Sequence, residues 1–294
     1  MAAKHWLIGC GLGCGAIVLI FLVISAVGTF FLRDTMSGFD SAVETRETLD
    51  ERFGAVREFT PPLDGAIPAD RMEAFLAVRE ANSPARETVA QAFESISTTA
   101  QEARELESKP LLDKVRSIFG IVGSAADFGG DIAGFFDARN RAMLEHDIGM
   151  GEYTYIYVLA YYSWLERSPG DAPGNARVNT RSGNISIGRG RGAPQELGDI
   201  GNSRISSDVL SMLQNQLDAL PEETDDSWRE ELAAESEMLE RDSDRLPWQD
   251  GVPAPILASL EPFRERLEAA YNPSTNAFEL LRNKRRGLWS IQAE

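Results

Sequence analysis

A run of predominantly apolar residues extends from Trp6 to Leu32, and it contains no charged residue. At ~1.5 Å per residue, a helix of this length crosses the ~30 Å hydrocarbon core of a bilayer. The pattern therefore predicts a single transmembrane helix at residues 6–32, preceded by a short tail at residues 1–5. The remainder of the chain is predicted to be a body tethered to the membrane.

The charges beside the predicted span bear on its orientation. Lys4 precedes the span and Arg33 follows it. The positive charges on the two flanks are therefore nearly equal, and the positive-inside rule gives only a weak preference for one orientation. The short leading tail favours a cytoplasmic N-terminus with the body outside the cytoplasm. The small residues Ala26 and Gly28 could instead end a cleaved secretory signal, but the apolar run is longer than a signal core. We therefore expect an uncleaved anchor.

Glycines recur within the predicted span at a spacing of four. Gly9 and Gly13 form one such pair, and Gly11 and Gly15 form another. Small residues at this spacing let two membrane helices approach closely, although glycine is also generally frequent in membrane helices. The glycines are a candidate face for self-association of the anchor.

Beyond the anchor, apolar residues recur every three or four positions, which is the period of helices with one buried face. Residues 33–59 fit a stalk helix that continues from the anchor, and residues 60–167 fit the first part of a helical domain. Within it, residues 152–167 are apolar on all sides, which indicates the central helix of the bundle. The helical pattern resumes over residues 205–294. The fold class is predicted as all-α, an irregular multi-helix bundle behind one transmembrane helix.

Residues 168–204 have a different character. They are rich in glycine, arginine and serine and show no sustained period. We expect a disordered, flexible insertion between the two parts of the helical domain. Within it, the segment from Val178 to Ile187 could pair as a small hairpin about Ser182-Gly183-Asn184.

Composition narrows the class of protein. The formal net charge is −17, so the body should repel nucleic acid and also anionic lipid, except where a local basic patch faces the membrane. Cys10 and Cys14, which are the two cysteines of the chain, fall in the predicted span, so the body has neither disulfides nor a cysteine zinc site. Absence of disulfides, few lysines and abundant alanine are typical of a bacterial envelope protein. The predicted location is the bacterial inner membrane.

His146 and two aspartates are candidates for acid–base chemistry. His146 stands between two acids and could act as a base oriented by a carboxylate, or it could end a helix and meet the helix dipole. Asp127 and Asp131 share a helical face and could form an acid/base pair or bind a cation. Aspartates on a half-buried helix more often face solvent or pair with arginines such as Arg139 or Arg141. Because no nucleophile or nucleotide-binding motif accompanies them, we expect no catalytic residues, metal or cofactor.

Aromatic residues crowd the predicted central helix. Tyr153, Tyr157, Tyr161 and Trp164 recur there at helical spacing. They could line a pocket for an apolar or sugar-like ligand, or they could simply pack the core. Buried hydroxyls need hydrogen-bond partners, and the nearest supply along the chain is Asp127, Asp131 and His146. The candidate ligand-binding set therefore consists of Tyr153, Tyr157, Tyr161, Trp164, Asp127, Asp131 and His146.

A basic cluster stands out near the end of the acidic sequence: Arg282, Lys284, Arg285 and Arg286. It could contact anionic lipid or an acidic partner, or it could pair with the acidic helix around Glu230. It also suits the C-terminal end of a helix.

These patterns together predict a function in binding or scaffolding. We expect a single-pass bacterial membrane protein, not an enzyme, with an acidic extracytoplasmic helical domain and a protein partner that the sequence does not identify. A membrane-tethered carboxylate enzyme and a helical domain with a tyrosine-lined ligand pocket are the alternatives. A third alternative places the body in the cytoplasm as a tethered adaptor.

Overall fold

The computed structural model describes residues 40–105, 111–171, 177–179, 186–188 and 195–281. The predicted tail and anchor, including Gly9, Gly11, Gly13 and Gly15, lie outside these ranges. Among the described helices, none combines the length and apolar character needed to cross a membrane.

The described chain is helical apart from one pair of three-residue strands, which confirms the all-α prediction for this part of the molecule. Helix α1 covers residues 40–53, and a 3₁₀ turn follows it at Val56–Glu58. The next helices are α2 (Ala69–Ala81), α3 (Ser83–Glu105), α4 (Leu111–Glu145) and α5 (Met150–Tyr157), which continues as a π-helical segment at Val158–Trp164. Strands β1 (Arg177–Asn179) and β2 (Ser186–Gly188) precede α6 (Gln195–Ala219), α7 (Asp226–Arg241), α8 (Ala254–Leu260), α9 (Arg264–Ala270) and α10 (Asn276–Glu279).

Several helix ends follow directly from local sequence. Pro68 precedes α2, where its fixed φ suits a helix start, and α7 begins after Asp225, whose carboxylate accepts the N–H of Ser227 at 3.0 Å. Pro262 interrupts the helical path between α8 and α9 with a 3₁₀ turn because proline lacks an N–H donor.

The predicted stalk, residues 33–59, is not one continuous helix in its described part. Gly54 has φ +80°, a left-handed conformation that suits glycine and ends α1. Leu49 on α1 and Val56 in the following turn are both buried in the main core. The amide of Asn140 on α4 also donates to the carbonyl of Ala42 at 3.1 Å. Residues 40–58 therefore belong to the packed body.

The core has a large and a small part. The large part surrounds α5 and the π-helical segment, where residues 153–163 are all buried, as the all-round apolar pattern predicts. The small part joins α1, α3, α4 and α10 through Ala42, Val89, Phe128, Ile132, Phe135, Phe136, Phe278 and Leu281. The residues that end the described chain thus lie in the same cluster as those that begin it.

The predicted insertion, residues 168–204, is shorter than the composition indicates. Strands β1 and β2 pair antiparallel with Val178 opposite Ile187, as the hairpin prediction requires, while the proposed turn lies outside the described residues. Helix α6, however, begins at Gln195, which corrects the boundary at residue 204. Asn202 and Arg204, the eighth and tenth residues of α6, make tertiary hydrogen bonds: Asn202 donates to Asp244 O at 3.1 Å and Arg204 to Leu280 O at 2.7 Å. Such contacts leave no periodic signal in the sequence.

Deleting residues 174–192, with a short Gly-Ser linker in their place, is expected to change the melting temperature by less than about 2 °C. The cut removes the strand pair but leaves Asp171, which accepts the hydroxyl of Tyr271 at 2.9 Å, and all of α6. Loop-closure entropy depends only weakly on loop length. Thermal melts followed by circular dichroism test this, with Asp171→Ala as the control that should lower the melting temperature. A loss of several degrees on deletion would show that the removed segment packs into the core.

Candidate functional site

The central helix presents three tyrosines on one side. Tyr153, Tyr157 and Tyr161 are four residues apart, and at most 1% of each is exposed. Their rings contact Phe75 of α2, with centroid distances of 5.0, 6.5 and 6.4 Å respectively. Aromatic rings at these separations pack favourably in addition to the area that they bury. The tyrosine row is therefore enclosed by a neighbouring helix.

The π-helical segment brings the hydroxyls of Tyr157 and Tyr162 to the same hydrogen-bond acceptor. Its widened turn is closed by the N–H of Leu165, which donates to Ala160 O at 3.0 Å, five residues back. The hydroxyls of Tyr157 and Tyr162 both donate to Oδ1 of Asn276, at 2.9 and 3.1 Å. Residues five apart lie on different faces of a regular α-helix. The π geometry thus lets two tyrosines share one acceptor.

Residues 267–281, here called the closing segment, supply the partners of the tyrosine row. The hydroxyl of Tyr153 donates to Oε2 of Glu279 at 2.8 Å, and that of Tyr161 donates to Leu267 O at 3.0 Å. Asn276 in turn donates to Ser168 O at 2.9 Å, which ties the closing segment to the loop that follows the central helix. The row is sealed by hydrogen bonds within the chain.

A charged pair lies beside the tyrosine row. Arg79 of α2 forms a salt bridge with Glu279, and the two side chains are 1% and 0% exposed. The Arg79 guanidinium also donates to Ala270 O at 2.6 Å. It lies over the rings of Tyr157 and Tyr161, 5.2 and 5.4 Å from their centroids, where the ring faces attract a cation.

Two further buried arginines surround the pair. Arg86 of α3 donates to the carbonyls of Ala270 and Arg79. Arg139 of α4 donates to Glu279 O at 2.6 Å and to Leu281 O at 3.1 Å, so it satisfies carbonyls at the end of α10. The cluster thus places three guanidinium groups around one carboxylate.

The surroundings shift the pKa values of these groups. Burial alone would raise the pKa of Glu279, but the positive charges of Arg79, Arg86 and Arg139 outweigh this and lower it. Burial acts against the charge of Arg79 as well, yet the Glu279 carboxylate raises the pKa of Arg79 overall. Burial lowers the pKa of Arg139 to about 10. At neutral pH Glu279, Arg79 and Arg139 are therefore ionised.

Burial also raises the pKa values of Tyr153, Tyr157 and Tyr161. Their hydroxyls remain protonated and act as donors. The hydroxyl of Tyr155, on the opposite side of the helix, has no hydrogen-bond partner among the described residues, and its ring lies 5.9 Å from that of Phe59.

The structure brings only part of the predicted ligand-binding set together. Tyr153, Tyr157 and Tyr161 form the row, whereas Trp164 is only partly buried at the end of the π-helical segment, under the guanidinium of Arg264 at 4.3 Å. Asp131 is half-buried on α4, and the side chain of Asp127 lies outside the described residues.

The prediction that Asp127, Asp131 and His146 accept the tyrosine hydroxyls is wrong. The partners observed for the tyrosine row come from the closing segment, 106 to 126 positions further along the chain. His146 instead follows the end of α4, where its N–H donates to Ala142 O at 3.0 Å, which agrees with the interpretation as a residue at a helix C-terminus.

The sequence did not single out Glu279, Asn276, Arg86 or Arg139 as members of this cluster. One signal was available, because Arg79 shares a helical face with Met72, Phe75 and Leu76. A charged residue on a buried face needs a partner of opposite charge. The pattern does not say where that partner lies.

Neither a search for metal-binding groups among the described residues nor a comparison with known proteins adds a residue to the candidate site. Within the described ranges, no group of three or more histidines, cysteines, aspartates or glutamates is placed to hold a metal ion. Comparison with known protein families, curated proteins and solved structures found no match.

Proposed function

We propose that the chain is a single-pass bacterial membrane protein whose acidic helical body lies outside the cytoplasm and binds or scaffolds a protein partner without catalysing a reaction. The observation that carries the proposal is that the hydroxyls of the tyrosine row donate to groups of the protein itself. A ligand or catalytic site needs polar groups that face a substrate. The hydroxyls of Tyr153, Tyr157 and Tyr161 instead donate to Glu279, Asn276 and Leu267 O.

The buried charges support the same proposal. Arg79 and Glu279 neutralise each other, and Arg86 and Arg139 donate to main-chain carbonyls. These contacts connect α2, α3 and α4 to the closing segment, so the ionised groups serve to hold helices together. A body stabilised in this way presents a fixed outer surface, which suits a scaffold.

The negative charge of the outer surface favours a protein as the partner and disfavours nucleic acid. The solvent face of α7 carries exposed carboxylates at Glu230, Glu231, Glu237 and Glu240. Together with the net charge of −17, they repel the phosphate backbone of nucleic acids. A partner that presents basic side chains would be attracted and steered by the same field.

The tether and its orientation can be tested together. We expect the full chain to remain in bacterial membranes after a carbonate wash, whereas a chain that starts at residue 37 should be released because it lacks the apolar run. Protease added to intact spheroplasts should digest the body of the full chain. Protection of the body until the membrane is opened would contradict the extracytoplasmic orientation, and release of the full chain by carbonate would contradict the anchor.

The binding role is tested by affinity purification of the tagged full chain from native membranes. The matched control carries residues 1–39 fused to an unrelated folded domain, so it shares the anchor but not the body. A protein recovered in comparable amount with the full chain, and absent from the control, would support a binding or scaffolding body. Recovery of the same proteins by both chains would contradict it.

A further inference from the structure

The junction of α2 and α3 places three polar side chains together inside the body. Asn82 lies between the two helices, where its N–H donates to Val78 O and its carbonyl accepts the N–H of Arg86, both at 3.0 Å. The helical hydrogen bonds thus continue across the junction, and residues three and four positions apart on such a path face the same side. Arg79, Asn82 and Arg86 therefore share one face, and they are 1%, 2% and 5% exposed.

The guanidinium groups of Arg79 and Arg86 are neighbours of like charge. Both donate to Ala270 O, Nη2 of Arg79 at 2.6 Å and Nη1 of Arg86 beside it. Nη2 of Arg86 also donates to Arg79 O. Arginine keeps its proton in proteins, and carbonyl acceptors carry no net charge. These contacts therefore satisfy donors while two positive charges remain side by side, which costs free energy away from water.

The carboxylate of Glu279 does not balance the whole cluster. It forms the salt bridge with Arg79 and accepts the hydroxyl of Tyr153 at 2.8 Å. Neither Arg86 nor Arg139 forms an ion pair with a carboxylate of the described residues. Burial lowers the pKa of Arg86, and the charge of Arg79 lowers it further. Three guanidinium groups around one carboxylate leave an excess of buried positive charge, which proteins normally neutralise.

Donors remain available on the same face. Nε of Arg79, Nε of Arg86 and both amide atoms of Asn82 have no hydrogen-bond partner among the described residues. Buried polar groups normally have partners, because leaving one unsatisfied costs free energy. Three of these four atoms are nitrogen donors, and two of them belong to cations. The partner that suits them together is an acceptor with a negative charge.

We propose that Arg79, Asn82 and Arg86 bind a small monovalent inorganic anion, such as chloride, at the junction of α2 and α3. The two Nε–H groups and Nδ2 of Asn82 donate to it, while Oδ1 of Asn82 turns away from the negative charge. A monatomic anion suits three donors, because a larger oxyanion would bring more acceptor oxygens than they can satisfy. The site requires neither the anchor nor the protein partner of the proposed function.

The test is the dependence of the melting temperature on chloride. The full chain is melted in non-ionic detergent, followed by circular dichroism, while chloride replaces gluconate at constant ionic strength. An anion that binds only the folded state at about twenty times its dissociation constant favours that state about twentyfold. For a body of this size we expect a rise of roughly 4–7 °C. A melting temperature that does not respond to chloride would overturn the proposal, and it is the result expected if these donors bind only water.

Three variants assign the response to this site. Asn82→Asp keeps the size of the side chain and adds a fixed carboxylate where the anion binds, so its melting temperature should not depend on chloride. Arg86→Gln removes one charge and its Nε–H donor and should also lose the dependence. Arg266→Gln is the matched control, because Arg266 pairs with Glu73 on the surface, and it should respond as wild type does. If Asn82→Asp and Arg86→Gln kept the response of wild type, chloride would act elsewhere and the proposal would be wrong.

The position of the anion can be measured directly in the wild-type chain. Bromide has the same charge as chloride and scatters X-rays anomalously. Crystals of the full chain grown in bromide should show an anomalous peak within hydrogen-bond distance of Nε of Arg79 and Nε of Arg86. Anomalous peaks confined to exposed arginines would overturn the assignment of the site.

Discussion

Glu279→Gln is expected to lower the free energy of unfolding by about 3–5 kcal/mol, the usual range when one partner of a buried ion pair is removed. Glutamine keeps the size of the side chain but removes its charge. Arg79 would then remain buried without a counter-ion, close to the positive charges of Arg86 and Arg139. Urea denaturation of a chain that starts at residue 37 measures the loss.

A surface ion pair provides the matched control. Glu73 binds Arg266 at 2.7 Å, and the two side chains are 55% and 43% exposed. Because water screens such pairs, Glu73→Gln should cost no more than about 1 kcal/mol. If Glu279→Gln cost as little as Glu73→Gln, the carboxylate of Glu279 would not be the charge that balances the buried arginines.

The effect of Glu279→Gln should depend on pH in a defined direction. The pKa of Glu279 is lower in the folded protein than its ordinary value of 4.5, so folding favours the carboxylate. The resulting stabilisation is complete above that value and is lost as the pH falls through the folded-state pKa. The difference in stability between wild type and Glu279→Gln should therefore be constant at neutral pH and shrink below about pH 4.5. A difference that grew on acidification would contradict the assigned pKa direction.

Helix starts can be read from the sequence where their causes are local. Pro68 before α2 and the capping carboxylate of Asp225 before α7 act within one turn, so a linear pattern records them. The all-round apolar character of residues 152–167 likewise predicted the buried central helix. Helix α6 begins before the predicted boundary at residue 204, and the contacts of Asn202 with Asp244 and of Arg204 with Leu280 join residues that are far apart in the sequence, so a local pattern does not record them.

The candidate site was only half predictable for the same reason. The tyrosine row follows from its spacing of four, but Glu279 and Asn276 are 126 and 119 positions away from their tyrosine partners. Both lie in α10, a four-residue helix too short to show a periodic pattern. Choosing partners by proximity in sequence led to Asp127, Asp131 and His146, whereas the topology of the bundle brings the closing segment to the row.

Tyr157→Ala is expected to lower the free energy of unfolding by about 3–5 kcal/mol, by analogy with the truncation of buried phenylalanine. Tyr157 is fully buried, and its ring contacts those of Tyr161 at 4.6 Å and Tyr162 at 5.5 Å. Removal of the ring would leave a cavity in the centre of the core, next to the guanidinium of Arg79. Urea denaturation of the chain from residue 37 on measures the loss.

Tyr157→Phe is the control that isolates the hydroxyl. It should cost about 1 kcal/mol or less, because Oδ1 of Asn276 still accepts the hydroxyl of Tyr162 at 3.1 Å and is not left unpaired. Cavity formation then accounts for most of the difference between the alanine and phenylalanine variants. If the tyrosine row lined a ligand pocket, the side chain of Tyr157 would already border open space and its truncation would cost little. A penalty below about 1 kcal/mol for Tyr157→Ala would therefore reject the closed-core interpretation and favour the tyrosine-lined pocket.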